Sequence, residues 1–274
     1  MDLVYIVKNS EVNEDLRYSL RSVAKFVPHD KIWIVGYKPS WVTNVEYLPV
    51  EQKYNKWRNS VNNIIEACEC KDISEDFILM NDDFFAIKPI EDLEKSINVS
   101  LGNIESEVKR YKNVSIKSAW MKAFPYVVEL LKSLGIKEPY YNYETHIPLL
   151  INKKRYLEIM NLPKVQEFMK TSKVLHKRSL YKNIEKPKDQ TFIMYDVKVS
   201  QNKDDSIHRA KICGWISVFD SQVGNTYFNK LNNMLAELFP DQCKYEKPQK
   251  GYKIKSFYKE PVKQIKKPKN YYTF

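Results

Sequence analysis

Glycine is scarce in this sequence, with 6 residues in 274, beside 13 prolines and a hydrophobic share of 43%. A fibrous chain of the collagen type needs far more glycine and proline, and a disordered chain has fewer apolar residues. The composition therefore excludes both classes. It indicates a globular protein with enough chain for one large domain or two small ones.

Cysteine is scarce as well, and its spacing is uninformative. Cys68 and Cys70 are separated by one residue, while Cys213 and Cys243 stand far from them and from each other. Paired zinc ligands are usually two or more residues apart, and no second pair follows. We therefore expect neither a zinc site nor a disulfide framework, but reduced thiols as in a cytoplasmic protein.

Long apolar runs are absent. No stretch of 18 apolar residues occurs, and a membrane-spanning helix needs about 20. The N-terminus leads directly into a strand-like segment and not into a signal peptide. We expect a protein without a transmembrane segment, in the bacterial cytoplasm or, if it is phage-encoded, in the host cytoplasm. The oligomeric state is left open.

Negative charge is under-represented. The 45 lysines and arginines exceed the 34 acids, which gives a net charge of +11 and a pI near 9.2. The excess is concentrated at 170–188 and 244–269. It favours a polyanionic partner such as nucleic acid, an anionic membrane surface or a phosphorylated substrate. A solvated, lysine-rich surface explains the same numbers, so charge alone leaves the partner open.

A strand–helix–strand pattern is present at the start of the chain. Residues 2–7 are almost wholly apolar, 16–27 have apolar residues at helical spacing, and 31–36 form a second apolar run. A unit this short predicts parallel strands, and hence an α/β fold with a mostly parallel sheet flanked by helices. Further helices are predicted over 55–70, 91–137, 153–169 and 225–239, and further strands over 45–50 and 211–220.

The stretch 77–85 has the strongest functional signal. Four apolar residues predict a strand buried on both faces, and Asn81, Asp82 and Asp83 follow at its carboxyl end. Ligands of open α/β sheets bind at that edge. Mg²⁺ binds one or two carboxylates together with substrate phosphates, which would compensate the two acids. The alternative is a turn in which Asn and Asp cap the next element.

Two arginines and a histidine are further candidates. Arg17 and Arg21 lie four residues apart, hence on one helix face, and arginine pairs well with phosphate. The alternative is a solvated outer face. His146 lies in a tyrosine-rich loop at 138–150 that has no apolar period. It is a candidate general acid or base because histidine titrates near neutral pH, and a structural histidine is the alternative.

Five blocks of the chain resemble, in the same order, the blocks of one known family. They are 2–5 (family DVVYTWV), 13–23 (NELRYSLRS), 77–85 (FLYFNDDFFF), 143–149 (a histidine-containing region) and 213–247 (a strand into CINDN, a helix, then LFPEPSPFEK). The family is Stealth, the bacterial capsule sugar-phosphate transferases related to lysosomal N-acetylglucosamine-1-phosphotransferase. The chain departs from it at 6–10 and at 218–221, which leaves the metal ligands and the reaction open.

The resemblance implies a GT-A-like, Rossmann-like fold and a metal-dependent transferase that uses a nucleotide-sugar. A UDP-sugar is the expected donor and Mg²⁺ or Mn²⁺ the expected metal. We expect one transferase domain over 1–247, with a donor part at about 1–100 and an acceptor part at about 101–247, and a basic Lys/Pro/Tyr tail at 248–274. The implied roles are metal binding for Asp82, Asp83 and Asp220, donor binding for Asn13, Arg17, Arg21, Asn81 and Asp82, and catalysis for His146, Asp83 and Arg178.

Three functions remain open at this stage. Transfer of sugar-1-phosphate to a glycan hydroxyl releases a nucleoside monophosphate, whereas transfer of the sugar alone releases a diphosphate. A phage-type version of the second reaction acts on hydroxymethylated DNA, which a basic protein binds readily; Tyr140, Tyr141 and Tyr143 would then stack on a flipped base. The third is a non-catalytic nucleic-acid or sugar-binding protein.

Overall fold

The computed structural model describes residues 1–112, 118–171, 174–186, 191–192, 196–199, 204–218 and 229–248. The strands are β1 (Asp2–Val7), β2 (Ile32–Gly36), β3 (Glu46–Pro49), β4 (Asp76–Asn81), β5 (Phe84–Ala86), β6 (Val99–Ser100), β7 (Leu149–Asn152), β8 (Thr191–Phe192), β9 (Lys198–Val199) and β10 (Trp215–Val218). The helices are α1 (Glu14–Phe26), α2 (Lys56–Glu69), α3 (Leu93–Ile97), α4 (Ile104–Lys112), α5 (Ala119–Lys122), α6 (Phe124–Ser133), α7 (Lys153–Met160), α8 (Pro163–Thr171), α9 (Lys177–Glu185), α10 (Asp204–Cys213) and α11 (Asn229–Leu238).

The central sheet has five strands in the order β3-β2-β1-β4-β7. β1 pairs in parallel with both β2 and β4, and β3 extends the parallel arrangement beyond β2. β7 closes the far edge antiparallel to β4. The sheet is therefore mixed and mostly parallel, which confirms the predicted fold class.

Helices cover both faces of this sheet, so its inner strands β1, β2 and β4 are buried on both sides, whereas the edge strand β3 is mostly exposed. Phe77 and Leu79 of β4 belong to the core on the side of α2, while Ile78 and Met80 belong to the core on the side of α1. A strand enclosed in this way carries a continuous apolar run instead of an alternating one. The buried strand predicted over residues 77–80 is confirmed.

α1 begins where its sequence favours a helix start. The side chain of Asn13 accepts a hydrogen bond from the Leu16 backbone N–H at 3.0 Å, and two acids occupy the first turn. Such a cap satisfies a donor that the helix leaves unpaired, and the acids complement the helix dipole. Pro28 follows just after the helix end and cannot continue it.

A smaller three-stranded sheet, in the order β5-β10-β9, adjoins the central one. Only Asp82 and Asp83 separate the end of β4 from the start of β5. Two serines of α1 fasten it: Ser19 Oγ donates to the Phe84 carbonyl at 2.5 Å, and Ser22 Oγ accepts from the Ala86 N–H at 3.1 Å. The residues between β4 and β5 are thus held at both ends.

Two predicted helices are interrupted. Segment 91–137 contains α3, α4, α5 and α6, with the short strand β6 between α3 and α4. Segment 153–169 is divided into α7, which ends at Met160 and is capped by Asn161, and α8, which begins at Pro163. Proline fits the first turn of a helix, where its missing N–H has no partner to lose.

Other predicted boundaries shift for local reasons. The loop predicted at 138–150 runs into β7, and the polar segment after Thr171 contains α9. The late strand begins only at Trp215, since α10 extends to Cys213 and Gly214 turns the chain with φ +88°. The last residues of that predicted strand, and the tail at 249–274, lie outside the described residues.

The division into donor and acceptor parts stays a prediction. Across the ranges that the structure describes, no helix has both the length and the apolar character to span a bilayer.

Candidate functional site

The carboxyl ends of β1 and β4 form the switch point of the sheet. From β1 the chain continues outward to β2 and β3, whereas β4 lies on the opposite side of β1. Such a point leaves a crevice at the carboxyl edge of the strands, where ligands of open α/β sheets bind. Lys8 follows β1 there, and Asp82 and Asp83 follow β4. The topology thus brings the Asn-Asp-Asp sequence to the crevice.

An open cleft of about 760 Å³ lies along the same edge, beyond the ends of β1, β2 and β3. Its floor includes Gly36, which has φ +104° and where a Cβ atom would lie 2.5 Å from the carbonyl oxygen of Val7. Only glycine fits here, because the positive φ and the close approach to the Val7 carbonyl leave no room for a side chain. The sequence analysis did not identify the cleft. The polar residues that directly follow the apolar strands could have indicated it. The lining residues are Lys8, Asn9, Gly36, Tyr37, Tyr47, Pro49, Val50, Glu51, Gln52 and Asn59.

Asn13 joins the start of α1 to the end of β4. While its oxygen caps the helix, its Nδ2 donates to Asp82 Oδ2 at 2.8 Å. Asn81, the last residue of β4, lies opposite Ile6 of β1 in the sheet register. Three of the predicted donor-binding residues therefore meet at the switch point.

Asp83 is buried, and two residues that the sequence analysis missed contact it. Ser217 Oγ donates to Asp83 Oδ2 at 3.1 Å, and the Nζ atom of Lys198 lies 3.6 Å from the same oxygen. The register explains this arrangement, because Ser217 pairs with Phe84 on β5 and with Lys198 on β9. Only this strand pairing brings the three side chains together, and no local spacing could have revealed it.

His146 is hydrogen-bonded through Nδ1 to the carboxylate of Asp196. Burial by itself raises the pKa of the Asp196 carboxyl. The charge and hydrogen bond of His146, together with Lys198, outweigh that effect and hold the pKa below its usual value. An ionised Asp196 accepts a hydrogen bond, so His146 donates through Nδ1; in the neutral imidazole the basic lone pair is then on Nε2. Asp196 also accepts from the backbone N–H of Lys198 at 3.3 Å, which links this pair to Asp83.

Arg178 lies behind the histidine loop. Its Nη2 atom donates to Thr145 Oγ1 and to the Pro148 carbonyl, each at 3.2 Å, and to the carbonyl of Ile147. Burial lowers the pKa of Arg178 to about 10, against the opposing effect of negative charges that include Asp83 and Asp196. Arg178 is therefore a cation whose charge acts on Glu144, Asp196 and Asp83, and it holds the Thr145 hydroxyl before His146 and two backbone carbonyls after it.

The rest of that loop is also fastened by α9. Ser179 Oγ accepts from the Tyr143 N–H at 3.1 Å, and the amide of Asn183 bonds both the N–H and the carbonyl of Tyr141 at 2.8 Å. These bonds replace the secondary structure that the loop lacks. Although its sequence has no apolar period, the loop contributes to the core, because Tyr140 is 2% and Tyr143 3% exposed. Neither ring is available to stack on a nucleobase.

Glu144 connects the same loop to the first turn of α9. Its carboxylate accepts from the Ser179 N–H at 3.0 Å and lies 3.9 Å from the Nδ1 atom of His176. Burial by itself raises the pKa of Glu144. His176, Lys177 and the hydrogen bond from the Ser179 N–H outweigh that effect and lower the pKa to about 2. Glu144 is therefore an ionised structural anchor of the loop that carries His146.

Arg17 and Arg21 have a protein partner instead of an open face. Glu246 accepts from Arg17 Nη1 at 2.6 Å and from Arg21 Nε and Nη2 at 2.6 and 2.8 Å, with all three side chains buried. The backbone there is joined as well, since Lys247 N–H donates to the Trp41 carbonyl at 2.8 Å. The arginines fasten the segment after α11 to α1. Their predicted phosphate role stays a prediction, and the proposal below uses neither.

The oxygen ligands at the end of β4 suit Mg²⁺ or Mn²⁺. Asp82 and Asp83 are adjacent there, and within the described ranges no third His, Cys, Asp or Glu completes a metal-binding group with them. Asp220, the third predicted ligand, lies outside those ranges. Mg²⁺ commonly binds through one or two carboxylates and completes its shell with water and substrate phosphates. The two carboxylates fit an ion that binds together with a diphosphate.

The sheet order and the carboxylates at its edge define a GT-A fold, the fold of many glycosyltransferases. The galactosyltransferase LgtC, crystallised with donor and acceptor sugar analogs, aligns over 89% of this chain and 98% of its own, with a TM-score of 0.50 and 10% identity. An active-site mutant of LgtC aligns over 87% and 95%, with a TM-score of 0.51 and 12% identity. Mouse xyloside xylosyltransferase 1, in its apo form, aligns over 79% and 97%, with a TM-score of 0.41 and 10% identity. No family model and no curated protein matches the sequence.

Proposed function

We propose that the chain is a glycosyltransferase that takes a sugar from a nucleoside diphosphate-sugar and transfers it to an acceptor hydroxyl group. One observation carries the proposal: the His146–Asp196 pair lies beside Asp83, which follows a central strand at the carboxyl edge of a GT-A sheet. A base, a buried carboxylate and two cations in one cluster suit a reaction in which a hydroxyl attacks while a diphosphate leaves.

The donor occupies the crevice in this proposal. Its nucleoside part lies in the cleft beyond β1, β2 and β3, and its diphosphate lies toward Asp82 and Asp83. The expected donor is a UDP-sugar. Mg²⁺ or Mn²⁺ held by the two carboxylates would neutralise the diphosphate and stabilise the negative charge of the leaving group.

The chain's own residues act on the acceptor. His146 Nε2 takes the proton of the acceptor hydroxyl as its oxygen bonds to the anomeric carbon, and the bond from that carbon to the diphosphate oxygen breaks. Asp196 holds the imidazole in the required tautomer and stabilises its positive charge. Arg178 positions the loop that carries His146 through the contacts with Thr145 and Pro148.

A second candidate is the transfer of sugar-1-phosphate, as the Stealth-like sequence blocks suggest. The acceptor oxygen would then attack phosphorus, and a nucleoside monophosphate would leave. The same base and the same carboxylates serve this reaction. The candidates differ in which bond to the donor breaks, and therefore in the nucleotide released.

The acceptor is either a glycan or DNA with hydroxymethylated bases. The net charge of +11 favours the DNA acceptor, because phosphate contacts by lysine and arginine supply most non-specific affinity for nucleic acid. Binding that weakens steeply as salt is raised would support it. A protein that leaves DNA at low salt would point to the glycan.

The experiment is an incubation with a panel of nucleotide-sugars, Mg²⁺ or Mn²⁺, and glycan or hydroxymethylated-DNA acceptors, followed by mass spectrometry of the nucleotide released. We expect a nucleoside diphosphate and an acceptor heavier by one sugar. Release of a monophosphate would establish the second candidate. Binding of sugars or nucleic acid without any turnover would show a non-catalytic binding protein.

A further inference from the structure

Lys198 is the charged residue beside Asp83 to which the reaction above gives no role. It stands on β9 directly opposite Ser217 of β10, which in turn stands opposite Phe84. Its ammonium lies 3.6 Å from Asp83 Oδ2, and the side chains of Lys198 and Asp83 are only 17% and 4% exposed. The small sheet therefore places a cation at the carboxylate that the metal and the diphosphate require.

Both carboxylates of the cluster have positively charged partners in the free protein. Lys198 lies next to Asp83, and its charge also acts on Asp196. Arg178 interacts electrostatically with both carboxylates. Arg178 is held in place by the carbonyls of the histidine loop. Lys198 carries a point charge on a flexible four-carbon stem, so it can change partners where a bonded guanidinium cannot.

The binding of a divalent cation and of a diphosphate would change these charge pairings. A divalent cation competes directly with the Lys198 ammonium for the Asp83 carboxylate, since like charges cannot share it without cost. A diphosphate adds at least two negative charges and needs new cationic partners. An ammonium displaced from Asp83 would be available to a diphosphate that binds at the end of β4.

We propose that Lys198 is a diphosphate-binding residue that neutralises Asp83 while the donor is absent and moves to the donor's diphosphate when a divalent cation occupies Asp83. The proposal rests on the nucleotide-sugar donor proposed above. It implies that the free protein binds the metal weakly, and that metal and diphosphate strengthen each other's binding.

Replacing Lys198 by an uncharged residue should shift two affinities in opposite directions. Without nucleotide, Lys198→Met removes the competitor, so Mn²⁺ should bind about threefold to tenfold more tightly. With saturating Mn²⁺, the same variant lacks a diphosphate partner, so the nucleoside diphosphate should bind about tenfold more weakly, which corresponds to about 1.4 kcal/mol. A residue that only supports the fold would not produce changes of opposite sign.

The measurements are Mn²⁺ binding by electron paramagnetic resonance without nucleotide, and binding of UDP, GDP, ADP and CDP by calorimetry with Mn²⁺. Lys198→Gln is a second neutral variant, and Lys198→Arg keeps the charge and should stay within about threefold of the wild type in both assays. The matched control is Lys88→Met, which removes an exposed lysine whose Nζ donates to the Ile212 carbonyl at 2.9 Å, outside the cluster.

The outcomes separate this inference from the proposed function. If a nucleoside diphosphate binds the wild type and both neutral variants equally, Lys198 has no role in diphosphate binding and the donor proposal stands. Weaker Mn²⁺ binding in the neutral variants would equally overturn the inference. If none of the four nucleotides binds the wild type with Mn²⁺, the proposed donor is wrong and the inference falls with it.

Discussion

The Nδ1 atom of His146 is hydrogen-bonded to the carboxylate of Asp196, which lies 50 positions later in the chain. This contact orients a histidine of an irregular loop and, in the proposed reaction, fixes the tautomer in which it acts as a base. The loop itself is held by α9, so the position of His146 depends on bonds from Arg178 and Ser179 as much as on its own sequence.

The first prediction concerns that pair. His146→Gln should reduce kcat about 100-fold to 10,000-fold, the usual contribution of a general base. Asp196→Asn should reduce it less, because the imidazole remains. The KM for the donor should change little in both, since neither side chain is assigned to donor binding. Steady-state kinetics check this, with His208→Gln on the exposed face of α10 as the control. A donor KM that rises while kcat is unchanged would contradict the role of a base.

The second prediction tests the carboxylate at the end of β4. Asp83→Asn keeps the shape of the side chain and removes its charge, so kcat/KM should fall about 100-fold or more through lost stabilisation of the leaving diphosphate. The melting temperature should also fall, because the change removes the carboxylate charge that faces the largely buried Lys198 ammonium. Asp76→Asn is a matched control, because Asp76 lies exposed at the opposite end of the same strand. Equal activity of the two variants would show that Asp83 is not part of the active site.

The third prediction concerns the buried ion pairs of Glu246. Glu246→Gln leaves Arg17 and Arg21 buried without a full counter-charge, and removal of one partner of such a pair costs about 3–5 kcal/mol of the free energy of unfolding. Glu14→Gln removes the other, more exposed carboxylate on Arg17 and should cost less than about 1 kcal/mol. Urea unfolding of both variants compares them. Similar small losses would mean that the arginines do not depend on Glu246.

The fourth prediction follows from the lowered pKa of Glu144. In the folded protein this pKa is about 2, against an ordinary value of 4.5. The folded state therefore binds this proton more weakly than the unfolded state does. The contribution of Glu144 to stability is complete above pH 4.5 and is lost as the pH falls toward 2. Glu144→Gln should destabilise the protein at pH 7 and much less at pH 3.

Urea unfolding across that pH range provides the comparison for Glu144. Glu129→Gln, an exposed change on α6, controls for the loss of one negative charge. A constant difference between wild type and Glu144→Gln from pH 3 to pH 7 would contradict the lowered pKa.

The sequence predicts the parallel core well, because those elements carry their own signals. β1, α1, β2 and β4 each contain an apolar pattern that only one kind of element can bury, and Asn13 marks the start of α1. Short strands such as β7 have no comparable signal. They are specified by the neighbour they pair with, which a local pattern does not reveal.

The candidate site is predictable only in part for the same reason. The adjacent acids after a buried strand place Asp82 and Asp83 at the crevice. Their partners come from far along the chain: Ser217 lies 134 positions after Asp83. The spacing of Arg17 and Arg21 predicts that they share a helix face. It does not predict their partner Glu246, which lies 229 positions after Arg17.

The most direct test of the central claim is a crystal structure of the protein with Mn²⁺ and a nucleoside diphosphate, using the anomalous signal of manganese to locate the ion. We expect Mn²⁺ directly bound to a carboxylate oxygen of Asp83, with the diphosphate on the ion and the nucleoside in the cleft beyond β1, β2 and β3. A nucleotide bound elsewhere on the molecule, or Mn²⁺ away from Asp82 and Asp83, would contradict the account.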